Sequence, residues 1–67
     1  MDVVQKYYAE LQRILNAADP GLAAEFAAYV ATHRPNETWM WLYDRTKDGE
    51  YPSELRKCME NFYGTLR

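Results

Sequence analysis

The fold is decided between Asp2 and Gly21, where the chain reads DVVQKYYAELQRILNAADPG. Apolar residues recur there at steps of three and four, at Val4, Tyr7, Leu11, Ile14 and Ala18. This spacing places them on one face of a helix. Asp2 suits the N-cap of this helix because its carboxylate can accept a backbone N–H. Asp19 followed by Pro20 suits the start of another helix, since proline has no N–H to satisfy. The stretch therefore predicts a helical hairpin with a tight connection.

The second predicted helix lacks a polar face. Residues 22–31 contain one charged side chain, Glu25, and five alanines. A chain of 67 residues can hardly surround such a helix with its own side chains, and alanines let another backbone approach closely. We therefore expect a homodimer, with its interface at Ala24, Ala27, Ala28 and Ala31.

Five large apolar residues occupy positions 39–43, with the sequence Trp39, Met40, Trp41, Leu42, Tyr43. The run fits a short helix or a strand. A helix is favoured because the only segment left to pair with a strand is Glu50-Tyr51. Either conformation puts apolar bulk on both sides of the element, so one side is expected to lie outside the protomer core.

A helical conformation assigns the two tryptophans different roles. Positions two apart lie on nearly opposite sides of a helix, whereas positions four apart lie on the same side. We expect Trp39 and Tyr43 to enter the core, and Trp41, Met40 and Tyr29 to contact a partner, because Trp and Tyr are enriched at binding hot spots. The alternative, in which the whole run fills the core, stays open.

The last segment gives the clearest helical pattern. Ser53 is a suitable N-cap, and the apolar residues after it follow helical spacing at Leu55, Cys58, Met59, Phe62, Tyr63 and Leu66. Cys58 lies within that stripe and is expected to be a small buried residue.

The preceding Asp44–Gly49 segment partly matches a calcium-binding loop, but Leu55 stands where the closing Glu is required, so an ordinary turn is expected.

Composition narrows the classes of function. The net charge is −2, with one His and one Cys, so we expect no enzyme, cofactor or metal site. No cluster of Lys and Arg marks a nucleic-acid surface. No apolar run reaches the length of a membrane span, and no signal peptide opens the chain, so a cytoplasmic location is expected.

Together these patterns predict one all-α domain over residues 1–67, a dimeric bundle of three to four short helices. Its expected function is that of a small non-enzymatic regulator or inhibitor that binds another protein through an apolar, aromatic surface, as accessory proteins of phages and mobile elements do. The alternative is a small DNA-binding transcriptional regulator whose degenerate helix-turn-helix centres on Arg34-Pro35. Residues 37–43 count against it, because they are apolar where base-reading side chains belong.

Overall fold

The computed structural model describes residues 2–67, which form four α-helices and no strand. Helix α1 spans Val3–Ala18, α2 spans Pro20–Thr32, α3 spans Pro35–Thr46 and α4 spans Ser53–Leu66. The all-α prediction is confirmed, and so is the helical conformation predicted for residues 39–43, which lie within α3.

Two aspartates begin the first two helices as their positions predicted. A carboxylate oxygen of Asp2 accepts a hydrogen bond of 3.1 Å from the backbone N–H of Val4. A carboxylate oxygen of Asp19 accepts one of 3.1 Å from the N–H of Leu22, and Pro20 is the first residue of α2. Since Asp19 also ends α1, this single residue forms the connection of the hairpin.

The helices form a closed cycle of neighbours. Helix α1 packs against α2 and α4, and α3 packs against the same two helices. Near the start of α1, the ring of Tyr7 stacks on Phe62 near the end of α4, with centroids 5.4 Å apart. Near its other end, Arg13 donates a hydrogen bond of 3.3 Å to Glu54. Helices α1 and α4 are therefore antiparallel, and the start of one lies beside the end of the other.

All four helices contribute to one buried core. Its side chains are Tyr8, Leu11, Ile14, Leu15, Leu22, Ala23, Phe26, Leu42, Leu55, Cys58, Met59 and Phe62. Cys58 is buried as predicted, whereas Tyr63, which belongs to the same apolar stripe in the sequence, is 46% exposed. Phe62 is fully buried, whereas Tyr63, about 100° further round α4, lies towards solvent.

Helix α2 turns its alanines outward. Ala24, Ala27, Ala28 and Ala31 are all exposed, whereas Ala23 is buried. The other described helices therefore leave this alanine face uncovered. Within residues 2–67, no helix has both the length and the apolar character needed to cross a membrane.

Candidate functional site

The side chain of Trp39 is held in place from two helices. Its indole N–H donates a hydrogen bond of 2.8 Å to the main-chain oxygen of Met59 in α4. Tyr43, one turn further along α3, stacks on the indole with ring centroids 5.2 Å apart and planes inclined by 8°. Tyr63 of α4 lies against it at 4.7 Å with a tilt of 42°. Trp39 is thus half-buried and fixed between α3 and α4.

Trp39 lines two hollows on the surface formed by α3, α4 and their connection. One has a volume of about 450 Å³ and extends from Trp39 and Tyr43 towards Tyr51 and Arg56. The other has a volume of about 250 Å³ and is bordered by Trp39, Met40 and Tyr63. We call this surface the aromatic groove and define it by four residues: Trp39, Met40, Tyr43 and Tyr63.

The groove gathers most of the large apolar side chains that the fold leaves exposed. Met40 is 59% exposed, Tyr43 48% and Tyr63 46%, and the only other large exposed apolar side chain among residues 2–67 is Val3 in α1. The assignment of Tyr43 to the core is therefore wrong. The buried face of helix α3 is formed by Thr38, Leu42 and Thr46. Tyr43 lies outside that face.

Trp41 belongs to a different cluster, between α2 and α3. Its ring stacks on Tyr29 with centroids 4.6 Å apart and planes 9° apart. Tyr29 stacks in turn on His33 at 3.6 Å, and the guanidinium of Arg45 lies 5.5 Å from the centre of the Trp41 ring. Tyr29 and Trp41 are two of the three residues predicted to contact a partner, and the structure brings them together. Met40, the third, lies apart from them in the aromatic groove.

An ion pair reinforces the contact between α2 and α3. Arg45 donates two hydrogen bonds to the carboxylate of Glu25, of 2.8 and 2.9 Å. These bonds lower the pKa of Glu25 and raise that of Arg45. The bidentate geometry fixes the guanidinium near Trp41. Both indoles are half-buried and have partners within the chain, but the surface beside Trp39 is the one that carries the exposed side chains of Met40, Tyr43 and Tyr63.

Tyr51 fixes the connection between α3 and α4 at one end of the aromatic groove. Its hydroxyl donates a hydrogen bond of 3.1 Å to Asp19, the residue that caps α2. Burial raises the pKa of this phenol, and the bond to Asp19 acts in the same direction. The side chain therefore holds the connection close to the α1–α2 turn, although nothing in the sequence pattern linked residues 19 and 51.

Tyr63 and the central position of Trp39 were not anticipated from the sequence. No local signal distinguished Tyr63 from the buried residues of α4, because adjacent positions of that helix, Cys58 and Met59, are both buried. The position of Trp39 depends on α4 lying beside α3, which local spacing does not specify.

Within residues 2–67, no three His, Cys, Asp or Glu side chains are arranged to hold a metal ion. Comparisons with protein-family models, curated proteins and solved structures give no match for the chain.

Proposed function

We propose that the chain is a small non-enzymatic regulator that binds another protein through the aromatic groove. The observation that carries the proposal is the grouping of Met40, Tyr43 and Tyr63, each about half exposed or more, around the fixed ring of Trp39. Single apolar side chains are common on protein surfaces, but adjoining ones in a groove are typical of binding sites. Met and aromatic residues are also those enriched at the centres of protein interfaces.

The fixed position of Trp39 favours binding energetically. Immobilising a flexible side chain on association costs about 0.5–1.5 kcal/mol. The bond to Met59 and the stacked ring of Tyr43 already restrain the indole in the free protein. A partner that packs against Trp39 therefore meets a surface that is largely ordered before binding.

The proposed regulator is a homodimer that associates through the alanine face of α2, formed by Ala24, Ala27, Ala28 and Ala31. These side chains are exposed in the protomer, and small apolar side chains permit close approach of two helices. A core built from 67 residues supplies modest stability, so burying this face adds to it. The alanine face and the aromatic groove involve different helices, so dimer formation leaves the groove accessible.

Light scattering tests the dimer. The expected mass is near twice 7.9 kDa at micromolar concentration, and Ala27→Glu should reduce it to that of the monomer without unfolding, because residue 27 is exposed in the protomer. Met40→Glu, on the other surface, is the matched control and should remain dimeric. A monomeric mass for the unsubstituted protein would refute the dimer.

Site-specific photo-crosslinking tests partner binding. A benzophenone amino acid replaces Tyr43 in the groove or, as a control, Val3 on α1, and the full chain is irradiated in lysate of the cells that encode it. The proposal expects a discrete protein adduct from position 43 that is missing from position 3 and that Met40→Glu abolishes. Equal adducts from both positions, no protein adduct, or an adduct with nucleic acid would contradict it.

A further inference from the structure

The charge lining the aromatic groove is opposite in sign to the charge of the chain as a whole. Lys47, Arg56 and Arg67 line its two hollows together with one anionic side chain, Glu60. The remaining five cationic and nine anionic side chains give the rest of the chain a net charge of −4. The groove is thus a cationic site on an acidic protein.

Two of these cations have no ion-pair partner within residues 2–67. Lys47 pairs with Asp44 at 3.3 Å, but none of the ion pairs among residues 2–67 includes Arg56 or Arg67. Complementary charge steers association and selects among partners. A ligand carrying carboxylates beside its apolar contacts would therefore complement the rim of the groove as well as its floor.

The shape and the aromatic contacts restrict the ligand further. Residues 2–67 contain no strand edge that could pair with an extended peptide. Proline-rich peptides and nucleic-acid bases both bind by stacking on open aromatic faces. The central ring of the groove, Trp39, already has Tyr43 and Tyr63 against it and its N–H bonded to Met59, so it is not free to stack on such a ligand. The two hollows beside Trp39 instead suit apolar side chains that project from one face of a helix, packed between α3 and α4.

From these features, and resting on the proposed function, we propose that the aromatic groove binds an amphipathic helix whose apolar side chains enter the two hollows and whose flanking residues are acidic. The apolar anchors of such a ligand recur at i, i+3 or i+4, and i+7. Its carboxylates lie opposite Arg56 and Arg67. The basic counterpart of the same helix would place like charges against these residues.

Two synthetic peptides of about five helical turns test the inference. Both carry leucines at i, i+3, i+4 and i+7, and the other positions are mainly Glu in one peptide and mainly Lys in the other. Each is titrated into the full chain, and binding is followed by the anisotropy of a label on the peptide and by ¹H–¹⁵N spectra. At about 0.15 M salt, where charges outside the groove are largely screened, the acidic peptide should bind about tenfold more tightly. The chemical-shift changes should be concentrated at Trp39 and Tyr43, and the preference should shrink as more salt is added.

Charge reversal on the protein supplies the decisive comparison. Arg56→Glu should abolish the preference for the acidic peptide, whereas Lys6→Glu, an equal charge change on α1, which does not border the groove, should retain it. Equal or stronger binding of the basic peptide, shifts at Trp41 in place of Trp39, or binding of neither peptide would overturn the inference. Tighter binding of a proline-rich peptide or of an oligothymidylate would overturn it as well.

The two proposals fail in different ways. If a Tyr43 adduct forms in lysate but neither peptide binds, the ligand chemistry is wrong and the groove remains the binding surface. If no adduct forms and neither peptide binds, the proposed function is wrong too.

Discussion

The indole N–H of Trp39 and the main-chain oxygen of Met59 form a hydrogen bond of 2.8 Å that connects the middle of α3 to α4. The bond is partly buried. If it were lost, the carbonyl oxygen of Met59 could not be hydrogen-bonded by water as readily as a carbonyl at the surface. The bond holds in place both the central ring of the aromatic groove and the contact between two helices. Stability and the proposed binding surface therefore depend on the same side chain.

Replacing Trp39 by Phe keeps an aromatic ring and removes the donor. We expect the free energy of unfolding to fall by about 1 kcal/mol more than in Trp41→Phe, the matched control, because a net hydrogen bond contributes about that much. Trp41 contacts Tyr29 by ring stacking, so a phenyl ring preserves part of its contact. Urea denaturation measures both variants, and equal losses would show that the bond contributes no stability.

The ion pair between Glu25 and Arg45 predicts a dependence of stability on pH. Arg45 lowers the pKa of Glu25 in the folded protein, so the pair stabilises the fold above the unfolded pKa of about 4.3 and this contribution is lost as pH falls through the folded pKa. Glu25→Gln should therefore lower the urea midpoint at pH 7, and the difference from the unsubstituted protein should vanish near pH 2. A difference that is the same at both pH values would contradict the role of the carboxylate.

Two glycines should respond to alanine substitution with opposite signs. A methyl group at Gly64 meets no atom within 4 Å, so Gly64→Ala should stabilise α4 by about 0.5–1 kcal/mol through its higher helix propensity. A methyl group at Gly49 would approach the ring of Tyr51 to 2.5 Å. Gly49→Ala should displace that ring from Asp19 and lower the melting temperature. Thermal unfolding followed by circular dichroism compares the two variants directly.

The thiol of Cys58 should be unreactive in the folded protein. Burial raises its pKa, and the side chain is 8% exposed, so the thiolate is scarce and shielded near pH 8. Its reaction with Ellman's reagent should be at least tenfold slower than in urea-unfolded protein. Because the folded pKa is raised, the thiol favours the folded state below about pH 8.5 and this preference is lost as pH rises through the folded pKa. Rapid native labelling would show that α4 opens readily.

The sequence predicted features that depend on neighbouring residues. The caps at Asp2 and Asp19, the helices and the burial of Cys58 each follow from side chains within one or two turns, and each is present in the structure. The core of α4 follows in the same way from the spacing of Leu55, Met59 and Phe62. The predicted cap at Ser53 is wrong, because Pro52 occupies the N-cap position and Ser53 is the first residue of α4.

The different surroundings of Trp39 and Trp41 were harder to predict, because they depend on which helices flank α3. Helix α3 packs against both α2 and α4, so each indole is half-buried, one against each neighbour. Helical spacing correctly put Trp39 and Tyr43 side by side, but it could not indicate that Tyr43 is exposed. The contact between Tyr51 and Asp19 joins residues 32 positions apart, and no local pattern contains it.

The antiparallel pairing of α1 with α4 makes the backbone nearly circular. The stacking of Tyr7 on Phe62 brings together residues 55 positions apart. In the natural chain order, the contact between α1 and α4 therefore requires the long intervening segment to be ordered. A short glycine-serine linker from Leu66 to Val3, with new ends opened at Glu50, would turn this distant contact into a hairpin contact while keeping all four helices whole. Such a rearranged chain should fold to the same structure and form the α1–α4 contact earlier, because closing a shorter loop costs less entropy.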